Sequence, residues 1–86
     1  MNVYEQVLRV LDSALNLQGR GATFDAATPL LGALPELDSM AVLALITELE
    51  SHFGITFNDE DLHAEVFATV GSLNALVQQQ LDRHST

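Results

Sequence analysis

Hydrophobic residues recur at helical spacing near the start of the chain. Their steps of three and four positions place them on one face of an α-helix. They are Val3, Val7, Leu8, Leu11 and Leu15. The pattern predicts a first helix from Val3 to about Leu17, with Asn2 as its N-terminal cap and Gly19 as its stop.

A second helix is predicted from about Ser39 to Phe53, with Gly54 as its stop, because a glycine just past the last turn commonly ends a helix. One stripe of this helix is apolar and is predicted to face the core. Its members are Val42, Leu45, Ile46, Leu49 and Phe53. The opposite stripe carries Met40, Leu43 or Ala44, Thr47 and Ser51.

A last helix is predicted from Val70 to about Arg83, with Thr69 as its cap. Its inward residues are expected to be Val70, Leu73, Leu76, Val77 and Leu81. Before it, Ile55-Thr56-Phe57 is predicted to be extended, and a short third helix is predicted from Asn58-Asp59-Glu60-Asp61 to His63 or Glu65. The chain is therefore expected to be all-α, a small four-helix bundle with a short third helix.

Residues 18–38 form a long loop between the first two predicted helices. Glycines and prolines interrupt any regular pattern there, and so long a loop is unusual in a compact domain. We expect four leucines to pin the loop to the core, namely Leu30, Leu31, Leu34 and Leu37.

Composition indicates one folded domain spanning residues 1–86, since 48% of the residues are hydrophobic and 17% are charged. The N-terminus does not resemble a signal peptide, because Glu5, Arg9 and Asp12 interrupt the basic-then-apolar pattern that such a peptide requires. The apolar runs are also shorter than the roughly 20 residues needed to cross a bilayer. The chain has no cysteine, which is compatible with the cytoplasm. We expect a cytoplasmic monomer that does not bind membranes.

Charge narrows the choice of partners. Three basic residues stand against twelve acidic ones, which gives a formal net charge of −9. Binding to nucleic acid needs clustered cations, so nucleic acid is not an expected partner. The same charge favours docking to basic surfaces of other proteins.

Few residues are suited to chemistry. Ser39 is predicted at the N-terminus of the second helix, where unpaired N–H groups and the helix dipole favour a phosphate, although by itself it reads as an ordinary capping serine. His52, His63 and His84 match neither a metal-ligand spacing nor a catalytic triad, and surface positions are expected for them. Asp59-Glu60-Asp61 lacks the rest of a calcium loop. We expect no metal site and no catalytic residues.

Four features in order resemble the acyl and peptidyl carrier proteins, whose Asp-Ser-Leu-type motif receives a 4′-phosphopantetheine arm. The first is the order of a long helix, a long loop, a helix, a short helix and a helix. The other three are short sequences, Leu37-Asp38-Ser39-Met40, Leu49-Glu50-Ser51-His52-Phe53-Gly54-Ile55 and Phe67-Ala68-Thr69-Val70-Gly71-Ser72-Leu73. The resemblance covers nearly the whole chain.

The resemblance implies that a phosphopantetheinyl transferase esterifies Ser39 with the arm of coenzyme A. The terminal thiol of the arm then carries an acyl or aminoacyl group as a thioester, and the protein itself is not an enzyme. Asp38 is expected to cap the second helix, and in the family the matching acid lies close to the bound transferase and its metal.

Departures from the family pattern bear on partners. Met40 replaces the usual leucine, and Ala41 and Ala44 occupy positions that are usually acidic in carriers of fatty-acid synthesis. Docking is therefore expected to be more apolar than usual. The expected partner-binding residues are Glu36, Met40, Leu43, Ala44, Thr47, Glu48, Asp59 and Glu60. The residues with a secondary chance of sheltering an acyl chain between the second and third helices are Leu43, Ile46, Ile55, Leu62 and Phe67.

Two functions follow from the sequence. The first is a discrete carrier that delivers intermediates to acyl-loading enzymes and to synthases of a fatty-acid, polyketide or other specialised pathway. The alternative is an unmodified acidic helical adaptor that binds a basic protein through the second helix. Ser39 is essential only to the first. A small hydrolase that uses Ser39 is disfavoured, because no recognisable pattern places a base beside it.

Overall fold

The computed structural model describes residues 2–84, apart from the side chains of Asp59 and His84, and it is all-helical as predicted. It has three α-helices, which are α1 (Val3–Leu15), α2 (Ser39–Phe53) and α3 (Val70–His84). Three short 3-10 turns connect them, at Arg20–Thr23, Asp59–Asp61 and Ala64–Phe67. None of the described helices is both long enough and apolar enough to cross a bilayer.

Helix α1 begins as predicted and ends two residues early. The Asn2 side chain accepts a hydrogen bond from the Glu5 N–H at 2.8 Å, which caps the helix. The helix ends at Asn16, which takes the left-handed conformation with φ 54° three residues before the predicted stop at Gly19. Leu17, predicted to be the last helical residue, lies beyond the end of α1 and is buried.

Helix α2 has its predicted limits, and α3 begins at Val70 as predicted and ends at His84, one residue beyond the predicted end. Gly54, with φ 67°, ends α2 through a hydrogen bond from its N–H to the Glu50 carbonyl. Thr69 caps α3 together with Ser72, since Thr69 Oγ1 accepts from the Ser72 N–H and Ser72 Oγ accepts from the Thr69 N–H, both at 3.1 Å.

Two 3-10 turns replace the predicted short third helix, and the second of them continues to Phe67. Tertiary contacts hold both turns. Gln80 donates a hydrogen bond from Nε2 to the Asp61 carboxylate at 3.0 Å, and Ser72 Oγ donates to the Val66 carbonyl at 2.7 Å. Val66 and Phe67 are buried as well. These anchors on α3 fix the segment at two points, which favours two tight turns over one continuous helix.

The core lies between the three helices, with α1 packed against both α2 and α3. The inward stripes contain the predicted residues, of which five are half-buried, namely Val3, Val42, Ile46, Phe53 and Leu81. They also bury two residues that were not predicted, Val10 and Gln80. The fully enclosed residues include Val7, Leu11, Leu45, Leu49, Val70, Leu73 and Val77. Helix α1 is therefore the central packing element of the bundle.

The long loop packs against the segment that leads into α3. Leu30 and Leu37 are buried and Leu34 is half-buried, as expected. The prediction for Leu31 is wrong, because 40% of its side chain is exposed. Its backbone N–H donates to the Phe67 carbonyl at 2.9 Å, as the Leu30 N–H does to the Ala68 carbonyl. Leu31 is thus held by its main chain, with its side chain facing outward.

Candidate functional site

Asp38 and Ser39 open helix α2. Asp38 is the N-cap, in an extended conformation, and its Oδ1 accepts a hydrogen bond from the Ala41 N–H at 2.8 Å. Its carbonyl accepts the first intrahelical bond, from the Val42 N–H at 2.9 Å. The capping role predicted for Asp38 is confirmed, and Ser39 is the first helical residue.

Ser39 lies in the open. Its side chain is exposed, and its hydroxyl makes no hydrogen bond to any described residue. The N–H groups of Ser39 and Met40 are also unpaired within residues 2–84. Asp38 accepts hydrogen bonds only from the N–H groups of Ala41 and Val42. Free N–H groups at a helix N-terminus favour a negatively charged group beside them. The site thus combines an accessible hydroxyl with an environment suited to a phosphodiester.

The chain just before Ser39 is firmly anchored. Leu37 is buried, and its N–H donates to the Leu34 carbonyl at 3.0 Å. The Leu34 N–H in turn donates to the Leu30 carbonyl at 2.9 Å. Ser39 is therefore exposed only two residues after a buried core residue, and hydrogen bonds hold the main chain before it in place.

Glu36 has a partner within the chain. It is one of the predicted docking residues, and in the structure its carboxylate pairs with the Arg20 guanidinium. The hydrogen bond from Arg20, followed by one from its own backbone, holds the pKa of Glu36 below its ordinary value, although burial opposes the shift. Arg20 was missed because it lies sixteen positions away in the chain. The sequence feature that could have pointed to an ion pair is the scarcity of such cations, since Arg20 is one of only three Lys or Arg residues among twelve acidic ones.

The predicted docking residues on α2 share one outward face. Met40 and Leu43 are 75% and 61% exposed, and Ala44 and Thr47 are exposed beside them at helical spacing. We call these four residues the α2 outer face. Glu48 is half-buried, and Glu60 is exposed on a separate 3-10 turn. The side chain of Asp59 lies outside the described residues.

The residues expected to shelter an acyl chain do not share one environment. Ile55 and Phe67 are buried, Ile46 and Leu62 are half-buried, and Leu43 belongs to the α2 outer face instead of the interior. Two surface grooves of about 470 and 400 Å³ lie along α1. None of the five shelter residues lines either groove. Shelter therefore remains a prediction for the four inward residues.

The histidines lie where the sequence predicted, as far as they are described. His52 is exposed, lies 3.0 Å from the Gln6 side-chain oxygen and packs edge-on against Phe53. His63 is exposed, and the side chain of His84 is outside the described residues. Within the described part of the chain, no three potential metal-ligating side chains cluster together.

Removing the Asp38 cap is expected to weaken the site without unfolding the protein. Asp38→Ala leaves the Ala41 N–H unpaired and should lower the free energy of unfolding by about 1 kcal/mol in urea titrations. Asp38→Asn is the matched control, because asparagine caps equally well and should keep the stability of the parent. Equal stability of the alanine variant would contradict the capping role.

Comparison with known proteins agrees with this geometry. The family model described as "Phosphopantetheine attachment site" matches residues 5–78. The solution NMR structure of a holo acyl carrier protein from Nitrosomonas europaea is 43% identical, with a TM-score of 0.88. The alignment covers 95% of this chain and 99% of that one. No curated protein sequence gives a significant match.

The two comparisons agree with each other. A family model matches most of the chain, and a solved carrier protein is similar in both sequence and fold. The chain therefore belongs to the phosphopantetheine-attachment family of acyl and peptidyl carrier proteins, and its cofactor is covalently attached 4′-phosphopantetheine.

Proposed function

We propose that this protein carries acyl or aminoacyl groups on a 4′-phosphopantetheine arm attached to Ser39. The observation that carries the proposal is the state of Ser39, whose hydroxyl is exposed and unbonded at the N-terminus of a capped helix. The holo state of the carrier from Nitrosomonas europaea supports an arm on this chain as well.

The residues around Ser39 fit the arm. Ser39 Oγ projects from the bundle surface, so a long substituent meets no obstruction at its point of attachment. The free N–H groups of Ser39 and Met40 favour the negative charge that the attached phosphodiester would bring. Asp38 holds the first turn of α2 in place through its bond to the Ala41 N–H.

The arm would supply a terminal thiol, the nucleophile that a chain without cysteine lacks, and acyl groups would be carried on it as thioesters. The protein's own residues present the arm and are recognised by other enzymes. In this proposal a phosphopantetheinyl transferase attaches the arm and an acyl-loading enzyme adds the acyl group. The protein then delivers that group to synthases of a fatty-acid, polyketide or other specialised pathway.

The test is an intact mass before and after incubation with coenzyme A, Mg²⁺ and a broad-specificity phosphopantetheinyl transferase. We expect a gain of one phosphopantetheine group, located by peptide mapping on Ser39. A folded, initially unmodified chain that gains no mass, or that gains it on another serine, would overturn the assignment.

The α2 outer face is the surface that we propose for partner docking. Met40 and Leu43 are two of three large hydrophobic residues that stand exposed among residues 2–84, and they lie within a turn of Ser39. In this chain, with formal charge −9, they would supply apolar contact while the surrounding acids attract a basic enzyme surface.

Leu43→Glu is expected to lower kcat/KM for loading by the transferase about tenfold, because we place Leu43 among the few central contacts that each contribute more than about 1 kcal/mol to an interface. Leu31→Glu is the matched control, since Leu31 is also an exposed leucine but lies on the long loop. Equal losses for both variants would indicate a general charge effect and contradict a docking role for the α2 outer face.

A further inference from the structure

Arg20 connects the end of α1 with the segment that leads to Ser39. Its Nε donates to the Leu17 carbonyl at 3.2 Å, and its backbone N–H donates to the same oxygen at 3.2 Å. Its guanidinium also binds the Glu36 carboxylate. Since Leu17 is buried in the core, the two hydrogen bonds to its carbonyl hold Arg20 in place. The Nη2 end of the guanidinium then contacts Glu36, in the segment that precedes α2.

The turn that bears Arg20 is itself fixed to α1. The Asp12 carboxylate accepts hydrogen bonds from the Gly19 and Gly21 N–H groups, at 3.3 and 2.9 Å. Gly21 lies so close to α1 that a Cβ there would stand 3.0 Å from both the Leu8 carbonyl oxygen and Asp12 Cβ. Little movement of this turn relative to α1 is therefore possible.

Glu36 stands on the other side of the contact, three residues before Ser39. Three extended residues span at most about 11 Å, so the main chain of Glu36 lies within that distance of the main chain of Ser39. The second carboxylate oxygen of Glu36 is shielded from solvent and makes no hydrogen bond within the described residues. Arg20 is thus the side chain that holds this carboxylate in its orientation.

The other two arginines lie elsewhere. Arg83 lies on α3, and its Nη1 is 3.6 Å from the Asp61 carboxylate. Arg9 is exposed on α1 and makes no ion pair with a described carboxylate. Arg20 is the arginine that binds a carboxylate in the segment before Ser39.

We propose that Arg20 is a positioning residue for the modification of Ser39. By holding Glu36, it fixes the segment 36–38 relative to α1 and presents the Ser39 hydroxyl to the transferase in one orientation. The proposal rests on Ser39 being the attachment site. It gives Glu36 an internal role in place of direct docking, and it adds a residue outside α2 to the determinants of loading.

The experiment compares loading of the unmodified full chain with Arg20→Gln, Glu36→Gln and the double variant, using coenzyme A and a broad-specificity phosphopantetheinyl transferase. Each single variant should lower kcat/KM about three- to fivefold, the range set by the loss of a partly exposed ion pair. The double variant should be no slower than either, since both substitutions break one contact. The charge exchange Arg20→Glu with Glu36→Arg should recover part of the loss.

Arg9→Gln is the matched control, because it changes the net charge equally and leaves the contact between Arg20 and Glu36 intact. It should load like the parent.

If Arg20→Gln loads as fast as the parent or faster while Glu36→Gln is slower, Glu36 docks directly and the proposal is overturned. The proposal also fails if the variants lose only urea stability while kcat/KM of the folded chain is unchanged. A parent chain that is not loaded at all would instead refute the attachment site itself.

Discussion

Ser39→Ala is expected to abolish attachment of the arm while leaving the fold intact. The substitution removes only Oγ, which makes no hydrogen bond to a described residue. Alanine is a good helix former, and the Asp38 cap does not involve the Ser39 side chain. Intact mass after incubation with coenzyme A, Mg²⁺ and transferase should therefore show a full gain on the parent and none on the variant. The helical circular dichroism of the two proteins should be the same.

Ser51→Ala is the control for this experiment. Ser51 is also exposed on α2 but lies twelve residues further along, about 18 Å from Ser39 along the helix. It should be loaded like the parent. Modification of the Ser39 variant would move the attachment site to another residue. The same pair of variants separates the carrier from an unmodified adaptor, because an adaptor would keep its binding to a basic partner in both.

Leu45→Ala is expected to have the largest effect on stability. Leu45 lies on the inward face of α2 with 0% of its side chain exposed. Shortening it removes buried apolar surface and leaves a cavity, which should lower the free energy of unfolding by about 2–5 kcal/mol. An 86-residue domain has a total stability near the lower end of roughly 5–15 kcal/mol, so a large part would be lost. Urea titration followed by circular dichroism measures the loss.

Leu43→Ala is the matched control for Leu45→Ala. The residue type, the helix and the substitution are the same, but Leu43 is 61% exposed and belongs to the α2 outer face. Its free energy of unfolding should stay within about 0.5 kcal/mol of the parent. Similar losses at both positions would mean that α2 does not bury the stripe that contains Leu45.

The sequence was sufficient for features that depend on residues a few positions apart. The limits of α2, the start of α3, the caps Asp38 and Thr69, and the stop at Gly54 were all predicted correctly. Each depends on hydrogen bonds that span three or four residues and on the periodicity of one helix. Ser39 was singled out for the same reason, because its place at a helix N-terminus is a local property.

Tertiary structure decided the features that depend on distant residues. Gln80 and Ser72 on α3 hold the segment 59–67 in two turns, and main-chain bonds to the segment before α3 turn Leu31 outward. Arg20 and Glu36 are sixteen positions apart, and their pairing was not predicted. No local pattern encodes such contacts, since they form only when the packing of helices brings separate segments of the chain together.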